Sequence, residues 1–322
     1  MNMQQWQDRL WHKPKRVVFT DGTNPEVLKA ARTLAQTGWA KPIIAGHPFR
    51  IREVAEQNKI RLQGVSLKKP IHDANFDRYS RFYRKEVEPG LSYAAAKEKL
   101  QQPLWYAALL IKHGQADLCL APAQDTLTDL LQLERIFSES EPFVSAATLI
   151  WDEKSDRIFL FADTFVNARP DAQQLARIAF DSAQTFRALT DEEARVALLS
   201  FSTKGSADHP RVQTVRDALQ QMPACCPQVK VEGELQFDAA FVPEILQKKA
   251  PDSAFVQAAN VFVFPSLSAA DPGVKIVQTL TELKTAGPLL QGLEFPVHWI
   301  LPEANADDIV NQTIVASSLL NA

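Results

Sequence analysis

The sequence predicts an α/β chain of two α/β domains with mostly parallel sheets, on three observations. Short apolar runs alternate with helix-period segments from residue 16 onward, the rhythm of βαβ units, and such units build parallel sheets. At about 150 residues per domain, 322 residues make roughly two domains. The alternation changes character near Phe143, where two strand-like runs flank the polar link Asp152 to Asp156, a hairpin signal.

Each element follows in order. Val17-Val18-Phe19 suits a buried strand, and Asp21-Gly22 a turn. Asn24 is a good N-cap with Pro25 at the first helical position, and Gly38 ends the helix. Lys41 to Gly46 reads as a strand, Pro48 to Asn58 as a helix and Val65 to Leu67 as a third strand. Ser92 caps one long helix reaching His113, and the strand Asp117 to Ala121 leads into a helix over Asp125 to Phe137. Phe143 to Trp151 and Arg157 to Ala162 form the hairpin. Helices are expected at 172–189, 209–221, 237–247 and 273–283, and strands at 195–201, 229–232 and 260–264. A last strand, Pro296 to Leu301, precedes a C-terminal helix from Ala306 that packs back on the first domain. The expected division is 1–142 with 295–322 for the first domain and 143–294 for the second.

Composition excludes several classes. Hydrophobic residues are 46% and charged residues 23%, so the chain is not disordered. No apolar run approaches the 18 or so residues of a membrane span, and Met1 to Arg16 lacks the apolar core of a secretory signal. The 35 basic and 38 acidic residues leave a net charge of −3, which offers nucleic acid no large attractive field. Three Cys without metal-ligand spacing suggest neither zinc nor disulfides, and the expected setting is a reducing cytoplasm. Only 11 residues are Gly, about half the usual share of roughly 7%, so glycine-built ligand loops should be few.

Several strings are specific. Ser200 to Ala207 (SFSTKGSA), Gly233 to Ala240 (GELQFDAA), Asn260 to Pro265, Lys275 to Gln278 and Gly287 to Leu293 resemble loops of the phosphotransacetylases, the phosphate acetyl/butyryl transferases. Phe161-Ala162-Asp163 with Asn167 and Pro170 also matches, and the nearest type is the single-module enzyme of ethanolamine utilisation. The resemblance spans essentially the whole chain. It implies a phosphotransacetylase or isocitrate-dehydrogenase-like pair of α/β domains with an interdomain cleft, a homodimer, and the conversion of acetyl-CoA and phosphate to acetyl phosphate and CoA. Coenzyme A is then a substrate, and no tightly bound cofactor or metal is implied.

Acyl transfer to phosphate needs a cation for the phosphate, a group near the thiol, and donors for the developing oxyanion. Family members place a Ser and an Arg in a Ser-Arg-Gly string, where this chain has Leu301, Pro302 and Glu303. A family Arg aligns with Gln132, and Gly-rich segments become Leu120 to Ala123 and Ser268 to Gly273. The implied expectation is a family member with a degenerate active-site string and weak or lost ordinary activity. The alternative is a non-catalytic member acting as a ligand-binding or assembly protein.

Candidate residues carry two readings each. Ser202, Thr203, Lys204, Gly205 and Ser206 either cradle an anion or cap a helix, and the family match favours the cradle. Asp308 aligns with the family's base but also suits a first helical turn. Asp238 either meets ligand or caps its helix. Arg84 aligns with a family Arg only through a gap, and it lies in a basic run with Lys68, Lys69, Arg78, Arg81 and Lys85 that could meet CoA phosphates. His298 reads as a packed His before a general base, Cys119 as inert core, and Cys225-Cys226 as a loop pair without a nearby base. Trp105-Tyr106 reads as core or dimer contact.

Overall fold

The structure is a computed structural model, and it describes residues 3–124, 127–225 and 228–320. The chain forms two compact units, Met3–Pro142 together with the stretch from Leu293 onward, and Phe143–Gly292.

The first unit contains α1 (Met3–His12), β1 (Lys15–Phe19), α2 (Pro25–Thr37), β2 (Ala40–Ala45), α3 (Pro48–Gln57) and β3 (Ser66–Lys68). After a 3-10 turn at Pro70–His72 come α4 (Phe76–Phe82) and a π-helical turn at Tyr83–Val87. Then follow α5 (Tyr93–Lys99), α6 (Pro103–Lys112), β4 (Leu118–Pro122) and α7 (Leu127–Glu134). The second unit contains β5 (Ser145–Asp152), β6 (Arg157–Ala162), α8 (Ala172–Thr190), β7 (Arg195–Leu199), α9 (Pro210–Cys225) and β8 (Lys230–Leu235). It continues through α10 (Phe237–Phe241), α11 (Pro243–Lys249), β9 (Val261–Val263), α12 (Leu267–Leu280) and β10 (Lys284–Gln291). The chain then returns to the first unit with β11 (Val297–Ile300) and α13 (Ala306–Leu319).

The first unit's sheet has the order β11-β4-β1-β2-β3, and every pairing is parallel. Its inner strands are buried on both faces, which is why β1 and β4 read as continuous apolar runs. The caps of α2 form as the sequence expects. Asn24 Oδ1 accepts the Glu26 N–H at 2.9 Å, and Gly38 closes the helix at φ 74°, a left-handed position that favours glycine. The α13 helix packs on α2 and α1.

The second unit's sheet has the order β10-β5-β6-β9-β7-β8. The pairs β6–β9, β9–β7 and β7–β8 are parallel, whereas β10, β5 and β6 form an antiparallel edge. The Asp152–Asp156 link joins β5 and β6 as a hairpin. A core of Phe159, Phe161, Phe262, Leu235, Ala240 and Leu246 lies on one face. Burying such large side chains contributes on the order of 2 kcal/mol each.

Several elements differ from expectation. The long helix at 92–113 is two, α5 and α6, because Pro103 carries no N–H and pushes Gln102 into an extended conformation. Pro243 divides 237–247 into α10 and α11 in the same way. The helix expected at 273 begins at Leu267 and tolerates Pro272 inside it. The sequence pattern predicts no strand at β10 and no helices at α1, α4 or the π-helical turn, all of which the structure contains. Trp105 and Tyr106 are core, with the Tyr106 hydroxyl donating to Asp73. Among the described residues no helix is long and apolar enough to cross a membrane, and no group of three His, Cys, Asp or Glu is placed to hold a metal ion.

Candidate active site

The parallel strands of the second unit all run toward one edge, and in open α/β sheets the carboxyl edge is where ligands bind. The Ser202–Ser206 loop leaves β7 at that edge. Its donors converge on a carboxylate supplied by β8. Ser202 Oγ donates to Glu234 Oε1 at 2.8 Å, and the Gly205 N–H donates to the same oxygen at 2.8 Å. Arg216 on α9 donates from Nε to Oε2 and from Nη2 to Oε1, both at 3.1 Å. Burial alone would push the Glu234 carboxyl up. Arg216, the Gly205 N–H and the Ser202 hydroxyl override it and hold the group at about 2.

The rest of the loop is also internally partnered. Lys204 Nζ is ion-paired with Glu232 and donates to the Gly233 carbonyl at 2.9 Å. Thr203 Oγ1 donates to Gln236 Oε1 at 3.3 Å, and Ser206 Oγ accepts the Thr203 N–H at 3.0 Å. Asp238, in the first turn of α10, accepts from Lys249 Nζ at 2.8 Å and from the Ala239 N–H at 2.8 Å. Lys249 and the Ala239 N–H hold that exposed carboxyl below its usual range. Lys249 also donates to Gln236, so Ser202 through Ser206 and Asp238 belong to one connected polar network.

Beside this network is a cavity of about 620 Å³, a usual size for a small-molecule site. Four strands feed its wall. Arg169 follows β6, Phe201 follows β7, Ser266 follows β9 and Phe237 follows β8, while Arg211 comes from the first turn of α9. Ser200 joins cavity and loop, since it lines the first and its Oγ accepts the Ser202 N–H at 3.2 Å. The segment leading to Arg169 is built by buried Asp163. Its Oδ1 accepts the N–H groups of Phe165 and Val166, and its Oδ2 accepts the Asn167 N–H, at 2.9 to 3.0 Å. That is the physical content of the Phe161-Ala162-Asp163 string with Asn167 and Pro170. Sequence reasoning did not single out Arg169, Arg211 or Phe237. Phe237 lies within the Gly233 to Ala240 string, Arg169 lies between Asn167 and Pro170, and Arg211 directly follows a helix-opening Pro210, so a cation beside a strand end is the signal that marks both arginines.

The remaining candidates lie in the first unit. Arg84 is exposed on the π-helical turn. Asp308 is the third residue of α13 and completes a capping box, its Oδ2 accepting the Asn305 N–H at 3.1 Å while Asn305 Oδ1 accepts the Asp307 and Asp308 N–H groups. Leu301, Pro302 and Glu303 form the short connection between β11 and α13. His298 is buried in β11, and burial lowers its imidazole to about 4, so it is neutral at pH 7. Cys119 is buried in β4. Cys226 and the Cys225 side chain lie outside the described residues.

Comparison with known proteins agrees over the whole chain. The family model described as "Phosphate acetyl/butaryl transferase" matches residues 1–317. A phosphate acetyltransferase of Thermoanaerobacterium thermosaccharolyticum is 34% identical over 316 residues, covering 96% of this chain and 95% of its own. The Bacillus subtilis phosphate acetyltransferase is 34% identical over 314 residues and 97% of each chain. Among solved structures, the EutD phosphotransacetylase from Staphylococcus aureus superposes with a TM-score of 0.86 at 28% identity, covering 99% of this chain and 98% of its own. A phosphotransacetylase from Streptococcus pyogenes gives 0.85 at 32% identity, covering 100% and 99%. None of these lends support to the non-catalytic alternative. The sequence match and the structural match both run the length of the chain, and the chain belongs to the phosphate acetyl/butyryl transferase family.

Proposed function

We propose that the chain transfers an acetyl group between coenzyme A and inorganic phosphate, as a cytoplasmic homodimer without a tightly bound cofactor. The observation that carries this reading is the family match across residues 1–317. In the forward direction a phosphate oxygen attacks the thioester carbonyl, an oxyanion develops, and the CoA thiolate leaves and takes up a proton. The partners are therefore an acyl-CoA and phosphate. The Ser202–Ser206 loop, locked on Glu234, forms a rigid wall for the substrate site, and Asp238 extends it through Lys249. Arg84 supplies an exposed cation for a CoA phosphate, and Asp308 is the retained acidic group.

Turnover is expected to be slow. Leu301 offers no hydroxyl, Pro302 offers neither guanidinium nor N–H, and Glu303 sets a negative charge where phosphate must approach. Losing a single oxyanion donor costs roughly 100-fold or more in rate. Acetyl phosphate formation should be compared between the native chain and Leu301→Ser/Pro302→Arg/Glu303→Gly. The expected result is a rise on the order of 100-fold in the triple variant and little in the single changes, because such groups act as a unit. Rapid turnover by the native chain would overturn the slow-site reading. A folded, CoA-binding triple variant that stays inert would overturn the assignment of the defect to this string. Sedimentation of only a 35.9 kDa species at micromolar concentration would refute the dimer.

A further inference from the structure

The second-unit cavity differs from every other charged cluster nearby in the state of its cations. Lys204, Arg216 and Lys249 are each held by a carboxylate. Arg169 and Arg211 are not: among the described residues neither guanidinium makes an ion pair or a side-chain hydrogen bond, and no Asp or Glu lines the cavity. Two guanidiniums on one cavity lining, without a counter-ion among the described residues, have the charge that a dianionic group calls for, and a guanidinium binds phosphate through charge-assisted forks. Two longer helices reinforce the field. Both α9 and α12 open at this cavity with their N-termini, where partial positive charge accumulates. Ser266 occupies the N-cap position of α12, yet its side chain makes no capping bond, which leaves its hydroxyl for a ligand.

The remaining lining is apolar and aromatic. Phe201 is 58% exposed and Phe237 42% exposed, although both are large side chains at a concave site. Phe237 is anchored by Phe241, stacked at 5.4 Å, so its ring is held in place. Exposed rings at a pocket wall are platforms for another planar ring, and base–aromatic stacking is sequence-tolerant and favourable.

We propose that this cavity is a subsite for a purine nucleotide phosphate, with Arg169 and Arg211 holding the phosphate and Phe201 and Phe237 packing the ring. Two sources carry that chemistry: the nucleotide end of coenzyme A and a free adenine nucleotide. The first deepens the acyl-transfer reading and rests on it. The second stands without it.

The test is calorimetric titration of the full chain with adenosine 3′,5′-bisphosphate, coenzyme A and ATP in turn. The proteins compared are the native chain, Arg169→Ala, Arg211→Ala and the double variant, each checked for an unchanged melting temperature. Both side chains are exposed, so folding should be unaffected. Each single change should weaken adenosine 3′,5′-bisphosphate on the order of 10-fold, and the double change on the order of 100-fold. If the source is coenzyme A, CoA affinity falls by the same factor and the KM for acetyl-CoA rises with it. If the source is a free nucleotide, ATP weakens while CoA does not. The inference is overturned if the native chain binds none of the three at millimolar concentration, or if the double variant binds all three as the native chain does. Nucleotide binding lost in the double variant, in a protein that makes no acetyl phosphate, would sink the acyl-transfer reading and leave the subsite standing. Acetyl phosphate formation with unchanged nucleotide binding in the double variant would do the reverse.

Discussion

Two clusters of cations sit side by side at the carboxyl edge of the second unit, and they are in opposite electrostatic states. In the Ser202–Ser206 loop the Ser202 hydroxyl, the Gly205 N–H and the Lys204 ammonium point inward, onto Glu234 and Glu232. In the cavity, Arg169 and Arg211 have no carboxylate partner among the described residues. The loop has the residue types of an anion cradle, and it does cradle an anion, but that anion belongs to the protein. The difference teaches that residue type at a strand end identifies where negative charge is stabilised. Only the partner inventory says whether that charge is structural or a ligand's.

The largest expected effect falls on the occupied cluster. Glu234→Gln removes a buried charge facing Arg216 and should lower the unfolding free energy by about 3 kcal/mol, read by denaturant or thermal melting. A loss below about 0.5 kcal/mol would mean that the loop does not depend on its internal anion. The same residue sets a pH dependence. Its carboxyl is held at about 2 in the folded chain against an ordinary 4.5, so its stabilisation is complete above pH 4.5 and is lost as pH falls toward 2. The gap between the native chain and Glu234→Gln should therefore close across that window. A gap that stays constant from pH 5 to pH 2 would contradict the pairing.

A smaller effect separates the clusters by ligand rather than stability. Inorganic phosphate at millimolar concentration should raise the melting temperature of the native chain, and Arg169→Ala/Arg211→Ala should abolish the rise while Lys204→Ala leaves it in place. Loss of the rise in Lys204→Ala instead would return the anion site to the loop. The smallest effect is that of Lys204→Ala on stability itself. Its side chain is more than a third exposed, and Glu232 keeps Ser253 Oγ and the Ala254 N–H, so the cost should stay under about 1 kcal/mol.

The α/β class was legible because apolar runs such as Val17 to Phe19 and helix caps such as Asn24-Pro25 are local signals. Elements broken by one residue were less so. Pro103 and Pro243 each cut a helix whose apolar period continues through the break. The β10 strand is not legible because Gly287 and Pro288 interrupt its pattern, and the pairing with β5 absorbs that irregularity as a register shift between Ala286 and Leu289. At the site, the Ser202–Ser206 loop was visible as a string, but its occupant was not. Glu234 lies some thirty residues downstream in another strand, and only the parallel pairing of β7 with β8 brings it under the loop. Arg169 and Arg211 were legible as residues and illegible as a pair, since lacking a counter-ion is a property of space and not of sequence.

The antiparallel pairing of β5 with β10 bears on how the gene product is put together. Ser145 lies opposite Gln291, so the second unit begins and ends on neighbouring strands, with backbones about 5 Å apart. Seen from the first unit, the whole of Phe143–Gly292 is a single insertion whose two ends are clasped together. The entropy of closing such an insertion grows only with the logarithm of its length, and here the sheet itself holds the ends in place. A module with adjacent termini is suited to excision and to reconnection. New ends cut at the Asp152–Asp156 hairpin tip, with a short linker joining 143 to 292, should give a permuted module that still assembles its six strands.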